Sequence, residues 1–199
     1  IAPRALAPGM FISIYGTSLA PQVGQAAQPY PMSLSGVEVR ANGAAIPVQY
    51  VSPTQINAVL SDTVSGVVRL TVRSPEGEHT LHALVEPAVP ALVPAGVHAL
   101  SGALVSELNP IRPGDYLSLY LTGLGTTERR DSFDWAVVQP QVTVGGRTCE
   151  LLYAGRSFGY VGLDQINCRV AADAQTSNAA PVTVRSGSRS SNVINLPLR

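Results

Sequence analysis

The sequence predicts an all-β protein built from two tandem β-sandwich modules, and three observations support this fold class. Three blocks of residues occur twice along the chain, in the same order. In residues 68–73 (VRLTVR), which overlap one of these blocks, apolar and polar side chains alternate, as in a strand with one face in a core and one in water. Gly and Pro, the strongest turn formers, contribute 18 and 16 of the 199 residues and divide the chain into short segments.

The repeated blocks establish the organisation of the chain. The blocks keep their order and lie about 103 to 112 residues apart, so we infer a tandem duplication of one fold. The first module is assigned to residues 1–87 and the second to residues 97–199. The Pro-rich stretch 88–96 is predicted to connect them, stiffened by the fixed φ angles of proline. The paired blocks are residues 8–19 and 113–124, 37–57 and 142–167, and 70–74 and 182–186.

Each copy contains six or seven strand candidates, and no segment shows sustained helical periodicity. Clusters of Gly, Pro, Asn and Ser separate the candidates. Six or seven short strands in roughly 90 to 105 residues, with turn signals about every ten residues, are typical of the immunoglobulin-like sandwich. The Cys, Trp, Cys spacing of antibody domains is absent. In the first copy the candidates are residues 11–15, 37–40, 46–51, 56–60, 67–73 and 80–85.

Composition and charge exclude several classes of partner. The chain has 13 basic and 13 acidic residues and no net charge, so it offers no electrostatic footprint for nucleic acid or an anionic membrane. The longest apolar stretch, residues 88–100, is interrupted by Pro90 and Pro94 and is too short to cross a bilayer. Because the chain opens on Ile1 and not on an initiator Met, we expect a processed product or fragment of an exported, extracellular or cell-surface protein.

The two cysteines predict a disulfide in the second module. Cys149 and Cys168 lack the CxxC spacing of zinc and thioredoxin sites, and no His lies near enough in sequence to complete a metal site. Aligned with the first copy, they replace Ile46 and Ala58. A joint replacement of two apolar positions by cysteine indicates that these positions are close enough for a bridge.

The order of these motifs resembles the Solibacter-type uncharacterised C-terminal domain family of bacteria, over nearly the whole chain. The motifs are APGMFISIYGTSLA, YVSPTQIN, TGLG and GLDQIN. More loosely, each copy is similar to IPT/TIG immunoglobulin-like domains. The resemblance implies a tail module of a large exported protein and implies no enzymatic activity. The family has an apolar segment upstream of the first APG motif, where this sequence has residues 1–7, so an edge strand is expected to be missing from the first module.

A set of tyrosines and amides recurs in both copies and allows two interpretations. Aromatic rings and amide groups could line a carbohydrate site. Alternatively the amides satisfy loop backbone groups while the rings pack on the sandwich, the common role of residues that both copies of a repeat retain. The set comprises Tyr50, Gln55 and Asn57 in the first copy and Tyr153, Gln165 and Asn167 in the second.

No catalytic constellation or cofactor site is predicted. The chain has no GxSxG motif, and no Ser or Cys lies in a nucleophile context with a His and an acid. His79 and His82 lie near one strand at a spacing that points them to opposite faces, which argues against a shared metal. We therefore predict neither an enzyme nor a metal site.

The segment 126–135 (TTERRDSFDW), interpreted as a loop, leaves two questions open. Its acids Glu128, Asp131 and Asp134 could bind calcium, or they could form local ion pairs with the adjacent arginines in a solvated loop. Its large apolar residues, Phe133 and Trp135, could anchor a contact with another molecule or pack under the end of the sandwich.

These observations favour a non-catalytic, extracellular structural or interaction protein. The expected partners are further copies of the chain or other surface proteins. If an edge strand is missing from the first module, donation of residues 1–6 or 193–198 by a neighbour could complete it and build a surface fibre. Residues 1–6 could equally fold back onto their own module, or an upstream domain could fill the edge. The alternative function is a carbohydrate-binding or adhesive tail module of a larger exported protein.

Overall fold

A computed structural model describes residues 5–199, and all of their regular secondary structure is β-strand. The chain divides into two compact units, Ile1–Pro87 and Ala88–Arg199. Each unit contains two antiparallel sheets that enclose an apolar core. The predicted fold class, two tandem immunoglobulin-like β-sandwiches, is confirmed. The described residues contain no helix that is long and apolar enough to cross a membrane.

The first unit contains nine strands. One sheet has the order β1-β7-β6-β2, and the other has the order β3-β4-β8-β9 with β5 paired to β4. Alternate residues of both sheets point inward, for example Ile12 and Ile14 from β1 and Val37 and Val39 from β4. In chain order the strands are β1 (Phe11–Tyr15), β2 (Gly24–Gln25), β3 (Ser33–Leu34), β4 (Val37–Ala41), β5 (Ala44–Ile46), β6 (Val48–Val51), β7 (Gln55–Val59), β8 (Gly66–Ser74) and β9 (Gly77–Val85).

The second unit contains eleven strands. Its larger sheet has the order β10-β11-β17-β16-β13-β12, and its other sheet has the order β15-β14-β18-β19 with β20 paired to β18. The strands are β10 (Ala91–His98), β11 (Tyr116–Thr122), β12 (Thr127–Arg130), β13 (Phe133–Ala136), β14 (Gln141–Val144), β15 (Arg147–Thr148), β16 (Glu150–Arg156), β17 (Asp164–Arg169), β18 (Ser177–Ser186), β19 (Arg189–Ser190) and β20 (Ile194–Leu198).

The two copies share a framework of paired strands. Ser13 of β1 lies opposite Asn57 of β7, and Ser118 of β11 lies opposite Asn167 of β17 in the same register. The copies differ at the two edges of this sheet. The second unit adds β10 outside β11, and it has the hairpin β12–β13 where the first unit has only the two-residue strand β2.

The stretch 88–96, which the sequence predicted to be a proline-stiffened connector, does not lie between the two units. Most of it belongs to β10, which pairs with β11 and therefore lies inside the second unit. Pro94 is tolerated there because β10 is an edge strand, and the pairing register shifts between Leu92 and Gly96. Proline lacks a backbone N–H and is confined to such edges and bulges.

Two further segments differ from their predicted form. The predicted strand 46–51 is interrupted at Pro47, and its halves, β5 and β6, pair in different sheets. The predicted loop 126–135 instead forms most of the hairpin β12–β13, with its turn at Asp131, where φ is 53°. The predicted C-terminal strand donor is also wrong. Residues 194–198 form β20, whose Ile194, Leu196 and Leu198 are buried in the core of their own unit.

Candidate functional site

A groove of about 310 Å³ lies on the larger sheet of the second unit, beside the hairpin β12–β13. It brings together two sets of residues that the sequence had singled out separately. Tyr153, Gln165 and Asn167 come from β16 and β17, and Phe133 and Trp135 come from β13. The lining is completed by Leu152, Arg156 and Phe158, which sequence analysis missed.

Gly155 allows the hairpin to approach the sheet. Trp135 of β13 pairs with Gly155 of β16, and a Cβ at Gly155 would lie only 1.9 Å from the carbonyl oxygen of Asp134. The Tyr153 hydroxyl donates a hydrogen bond to the Arg156 carbonyl at 2.6 Å and also lies 3.1 Å from the Asp134 carbonyl. The lack of a side chain at Gly155 and the contact of the Tyr153 hydroxyl with the Asp134 carbonyl together position β13 as one wall of the groove.

The aromatic rings of the groove pack edge to face. The ring centroids of Trp135 and Tyr153 are 4.9 Å apart with an interplanar angle of 72°, and those of Phe133 and Tyr153 are 5.8 Å apart at 62°. Such pairs are stabilised by the ring quadrupoles. The Arg130 guanidinium lies 6.0 Å from the centroid of Trp135. Because Phe133 is 50% exposed and Phe158 is 84% exposed, the groove offers solvent-accessible apolar ring surface.

A row of amides forms the floor of the groove. Gln165 Nε2 donates to Asn167 Oδ1 at 2.9 Å, and Ser118 Oγ donates to the same oxygen at 2.8 Å. The first unit repeats this arrangement, with Gln55 and Ser13 donating to Asn57 Oδ1 at 2.8 and 2.9 Å. The retained polar residues therefore have a structural role in both copies, since they bind one another across neighbouring strands.

The amide of Asn167 nevertheless differs from its counterpart in one respect. In the first unit Asn57 Nδ2 donates to Gln49 Oε1 at 3.2 Å. Leu152 takes the place of Gln49 in the second unit, and it cannot accept a hydrogen bond. Within residues 5–199 Asn167 Nδ2 donates no hydrogen bond, whereas Asn167 Oδ1 accepts two.

A buried ion pair fixes the opposite wall. Asp164 is fully buried and pairs with Arg156, whose side chain is 12% exposed. Asp164 Oδ2 also accepts the backbone N–H of Leu124 at 2.8 Å. In the first unit the backbone N–H of Leu19 is the equivalent group, and it donates a hydrogen bond to the Pro53 carbonyl at 3.0 Å. Through these contacts the buried carboxylate holds Arg156 at the edge of the groove.

The tyrosine of the groove stays a hydrogen-bond donor over a wide pH range. Burial, followed by the negative charges of Asp134 and Asp164, raises the pKa of Tyr153 above its ordinary value. Its hydroxyl therefore remains protonated at neutral pH and keeps its hydrogen bond to the Arg156 carbonyl. This bond keeps the ring oriented between Phe133 and Trp135.

Within residues 5–87 the sheet edge at Tyr50 is built differently. Gln25 of β2 lies opposite Tyr50, and Gly24 lies opposite Val51, so β2 supplies no aromatic side chain at this edge. Among the described residues, no second ring packs against Tyr50. The structure thus places Tyr50, Gln55 and Asn57 on strands equivalent to those of their counterparts, with the two-residue strand β2 and not a hairpin at the neighbouring edge.

The acidic residues of the hairpin form ion pairs with its arginines. Glu128 pairs with Arg130, and Asp134 lies 3.2 Å from Arg129. Asp131 occupies the turn between β12 and β13. In residues 5–199 no group of three or more His, Cys, Asp and Glu side chains could hold a metal ion. The ion-pair interpretation of this segment agrees with the structure.

The two cysteines lie next to each other in the core of the second unit, as free thiols. Cys168 belongs to β17, and Cys149 immediately precedes β16. A hydrogen bond with Cys149, together with burial, raises the pKa of Cys168, so that thiol is protonated at neutral pH. Their proximity allows an oxidised pair, and the disulfide stays a prediction.

Comparisons with known proteins add limited information. No protein-family model and no curated protein sequence matches the chain. Among solved structures, the I9–I11 tandem of titin covers 98% of the chain at 10% identity with a TM-score of 0.26. The surface glycan-binding protein PbSGBP-B of Prevotella bryantii covers 96% at 12% identity with a TM-score of 0.31, and the BSP domain of a biofilm-associated protein covers 97% at 12% identity with a TM-score of 0.31. The chain spans 62%, 42% and 28% of these three structures, respectively, which is less than two thirds of each.

Proposed function

We propose that this chain is a non-catalytic, extracellular interaction module whose second unit binds carbohydrate in the groove beside the hairpin β12–β13. The observation that carries the proposal is the combination of exposed aromatic rings with an amide donor, Asn167 Nδ2, for which residues 5–199 supply no acceptor. Binding sites for small ligands combine a mostly apolar lining with a few placed polar groups in this manner.

The chemistry of a sugar matches both parts of the groove. A pyranose ring has an apolar face of C–H groups, which can pack on Phe158 and Phe133, and hydroxyls that both donate and accept. Asn167 can donate to a hydroxyl, and Gln165 Oε1, which accepts a hydrogen bond from Ser157 Oγ, has a second lone pair that can accept from one. Arg156 is paired with Asp164, which offsets its charge. We therefore expect a neutral sugar as the ligand.

The groove is suited to binding and not to glycoside hydrolysis. Most glycosidases need two carboxyl groups that flank the scissile bond. None of the residues that line the groove is Asp or Glu, and the neighbouring Asp164 is fully buried and ion-paired. The lining amides form hydrogen bonds but do not exchange protons near neutral pH.

A glycan array probed with the full chain tests this function. The wild type should bind a consistent set of neutral glycans, and Phe158→Ala should weaken that binding by about tenfold, the typical loss at an exposed hot-spot ring. Because Phe158 is 84% exposed, its truncation should not affect folding. Tyr15→Ala, which removes a 72% exposed ring from the first unit, is the matched control and should bind normally. An array without reproducible binding, or equal binding by wild type and Phe158→Ala, would contradict the proposal.

A surface fibre built by strand exchange is the second candidate. It is favoured by the outer edge of β1, which no strand of residues 5–199 covers. The donors predicted from the sequence do not support it. Residues 194–198 are core strand β20, and Leu6 pairs with Val85 of its own unit. Residues 1–4 of the predicted N-terminal donor lie outside the described residues. Electron microscopy of native material would detect such fibres.

A further inference from the structure

The strand β1 is an edge of its sheet, and its outward backbone groups can be identified. The N–H of Leu60 bonds the Met10 carbonyl at 3.0 Å, and the N–H of Gly16 bonds the Thr54 carbonyl at 3.2 Å. Hydrogen-bonding direction alternates along an antiparallel strand. Even-numbered residues therefore bond to β7, while Phe11, Ser13 and Tyr15 direct their N–H and C=O groups away from it. In residues 5–199 no strand pairs with that side.

The second unit shows how the same position is filled. There β10 pairs with the outer side of β11, with Val97 opposite Ser118, and the N–H of Ala99 bonds the Tyr116 carbonyl at 2.9 Å. Ser118 is consequently buried, at 5% exposure, whereas its counterpart Ser13 is exposed. Each serine makes the same side-chain hydrogen bond to the asparagine that lies opposite it on the neighbouring strand. The covering strand β10 is one structural difference between the two positions.

The segment that enters β1 does not itself cover this edge. Leu6 forms a parallel bridge with Val85 of β9, in the other sheet of the unit. Its N–H bonds the Leu84 carbonyl at 2.9 Å, and its carbonyl accepts the N–H of Glu86 at 2.8 Å. The second unit repeats this bridge between Ile111 and Leu198 and still has β10 in addition.

We propose that β1 accepts an extended, uncharged apolar segment of a partner polypeptide as an added antiparallel strand, in the position that β10 occupies in the second unit. Strand addition supplies main-chain hydrogen bonds for affinity, and the alternate side chains supply specificity. β10 is the template for the incoming segment. Its residues Ala91–His98 (ALVPAGVH) carry no acidic side chain, no Lys and no Arg, and Leu92 is buried in the core.

The template also predicts the size of one side chain in the partner segment. A Cβ at Gly96 would lie 2.6 Å from Leu196 Cδ1 and 3.1 Å from Leu117 Cδ1, so β10 needs glycine there. The counterpart of Leu196 in the first unit is Ala83, because Ala83 lies opposite Val68 as Leu196 lies opposite Ala180. The smaller alanine leaves room, so the partner segment can carry a larger apolar residue opposite Ile14.

A fluorescent peptide that copies residues 91–99 with Val in place of Gly96 (ALVPAVVHA) tests this site on the full chain. We expect saturable binding that Ser13→Pro weakens at least tenfold and Ser13→Ala leaves within twofold. Ser13→Pro removes an outward N–H while sparing the bonds to β7, and proline is compatible with the edge of a sheet. Ser13→Ala controls for the lost side-chain hydrogen bond to Asn57.

Hydrogen exchange of the wild type provides a readout that does not depend on the variants folding. The amides of Phe11, Ser13 and Tyr15 should exchange rapidly in the dilute chain and become at least tenfold slower with saturating peptide, while the amide of Ser118 is protected throughout. The proposal is overturned if the peptide neither binds nor protects these amides, or if Ser13 is as protected as Ser118 in the dilute chain. Protection that appears only as the chain self-associates would identify a second copy as the occupant and would also overturn it.

Discussion

Asn167 and Asn57 show how a single neighbouring residue distinguishes a structural amide from one available to a ligand. Both asparagines accept hydrogen bonds from a serine on the neighbouring strand and from a glutamine two residues earlier on their own strand. Only Asn57 also donates, to Gln49, and Leu152 replaces that glutamine in the second unit. The same replacement adds an apolar, 42% exposed side chain to the groove. One substitution thus frees a donor and widens the apolar lining.

Leu152→Gln should therefore reverse this change. The new amide oxygen can accept from Asn167 Nδ2, as Gln49 accepts from Asn57, so we expect carbohydrate binding to weaken about tenfold, the equivalent of roughly 1.4 kcal/mol. Thermal unfolding should be unchanged or slightly improved, because Leu152 is largely exposed. Titration calorimetry with the best glycan from the array measures the effect. Undiminished affinity in a folded Leu152→Gln variant would show that the Asn167 donor does not contact the ligand.

The cysteine pair makes a separate prediction at this scale. Because Cys149 and Cys168 are adjacent in the core, protein purified from an oxidising environment should contain a disulfide and lack free thiols after denaturation. Reduced protein should alkylate slowly while folded, since burial and the bond to Cys149 keep Cys168 protonated. Mass spectrometry of the unreduced, denatured protein with an alkylating reagent counts the thiols. Two alkylated cysteines in natively exported material would refute the disulfide.

At the scale of the strands, alternation predicted the central strands of each unit but not those at the edges. β4, β7 and β8 alternate inward apolar with outward polar residues, so their positions could be predicted directly. β10 was missed because Pro90 and Pro94 are typical of a linker, and β12–β13 because charged residues on both faces hide its alternation. Edge strands need only one hydrogen-bonded neighbour, which places fewer demands on their sequence.

The groove was only partly predictable for the same reason. Tyr153, Gln165 and Asn167 could be found by comparing the copies, and Phe133 and Trp135 by their size in a polar segment. That these sets meet depends on the pairing of Trp135 with Gly155, which no local pattern encodes. The remaining lining residues lie at positions where the two copies differ in sequence, and this difference could have identified them as part of a site. They are Leu152, Arg156 and Phe158.

The buried ion pair connects three elements and should be important for the second unit. Asp164 on β17 binds Arg156 on β16 and the backbone N–H of Leu124, which follows β11. Asp164→Asn removes the fully buried carboxylate that pairs with the largely buried Arg156. We expect a loss of about 3 to 5 kcal/mol in the free energy of unfolding. Urea denaturation measures it. Glu128→Gln, at an exposed ion pair of the hairpin, is the control and should cost about 1 kcal/mol or less. Equal losses in the two variants would contradict the role given to Asp164.

At the scale of the whole molecule, each unit has its own sheets and its own core. Leu70 is 2% exposed and Val184 is fully buried, so an aspartate at either position would place an unpaired charge in one core. Leu70→Asp should unfold the first unit and Val184→Asp the second, each leaving the other folded. Amide NMR spectra should lose the dispersed signals of one unit only. Simultaneous loss of both sets of signals in each variant would show that the units do not fold independently.

Because the fold is duplicated, each proposed binding surface in one unit can be compared with the equivalent position in the other unit. The second unit has aromatic rings beside its amide row, and residues 5–87 do not repeat this arrangement at Tyr50. In residues 5–199 no strand covers the outer edge of β1, whereas β10 covers the equivalent edge of β11. One copy of the fold thus presents a ring-lined surface for a sugar, and the other presents main-chain groups for a strand. Binding to one surface can be measured with the other copy as the reference within the same chain.

The most direct test of the central claim is an NMR titration of the full chain with a neutral glycan identified on the array. The side-chain amide signals of Gln165 and Asn167 should shift in a saturable manner, together with the indole N–H of Trp135. The equivalent amides of Gln55 and Asn57, which share the strand framework but lack the hairpin, should not move. Shifts confined to the first unit, or equal shifts in both amide pairs, would contradict carbohydrate binding in the groove of the second unit.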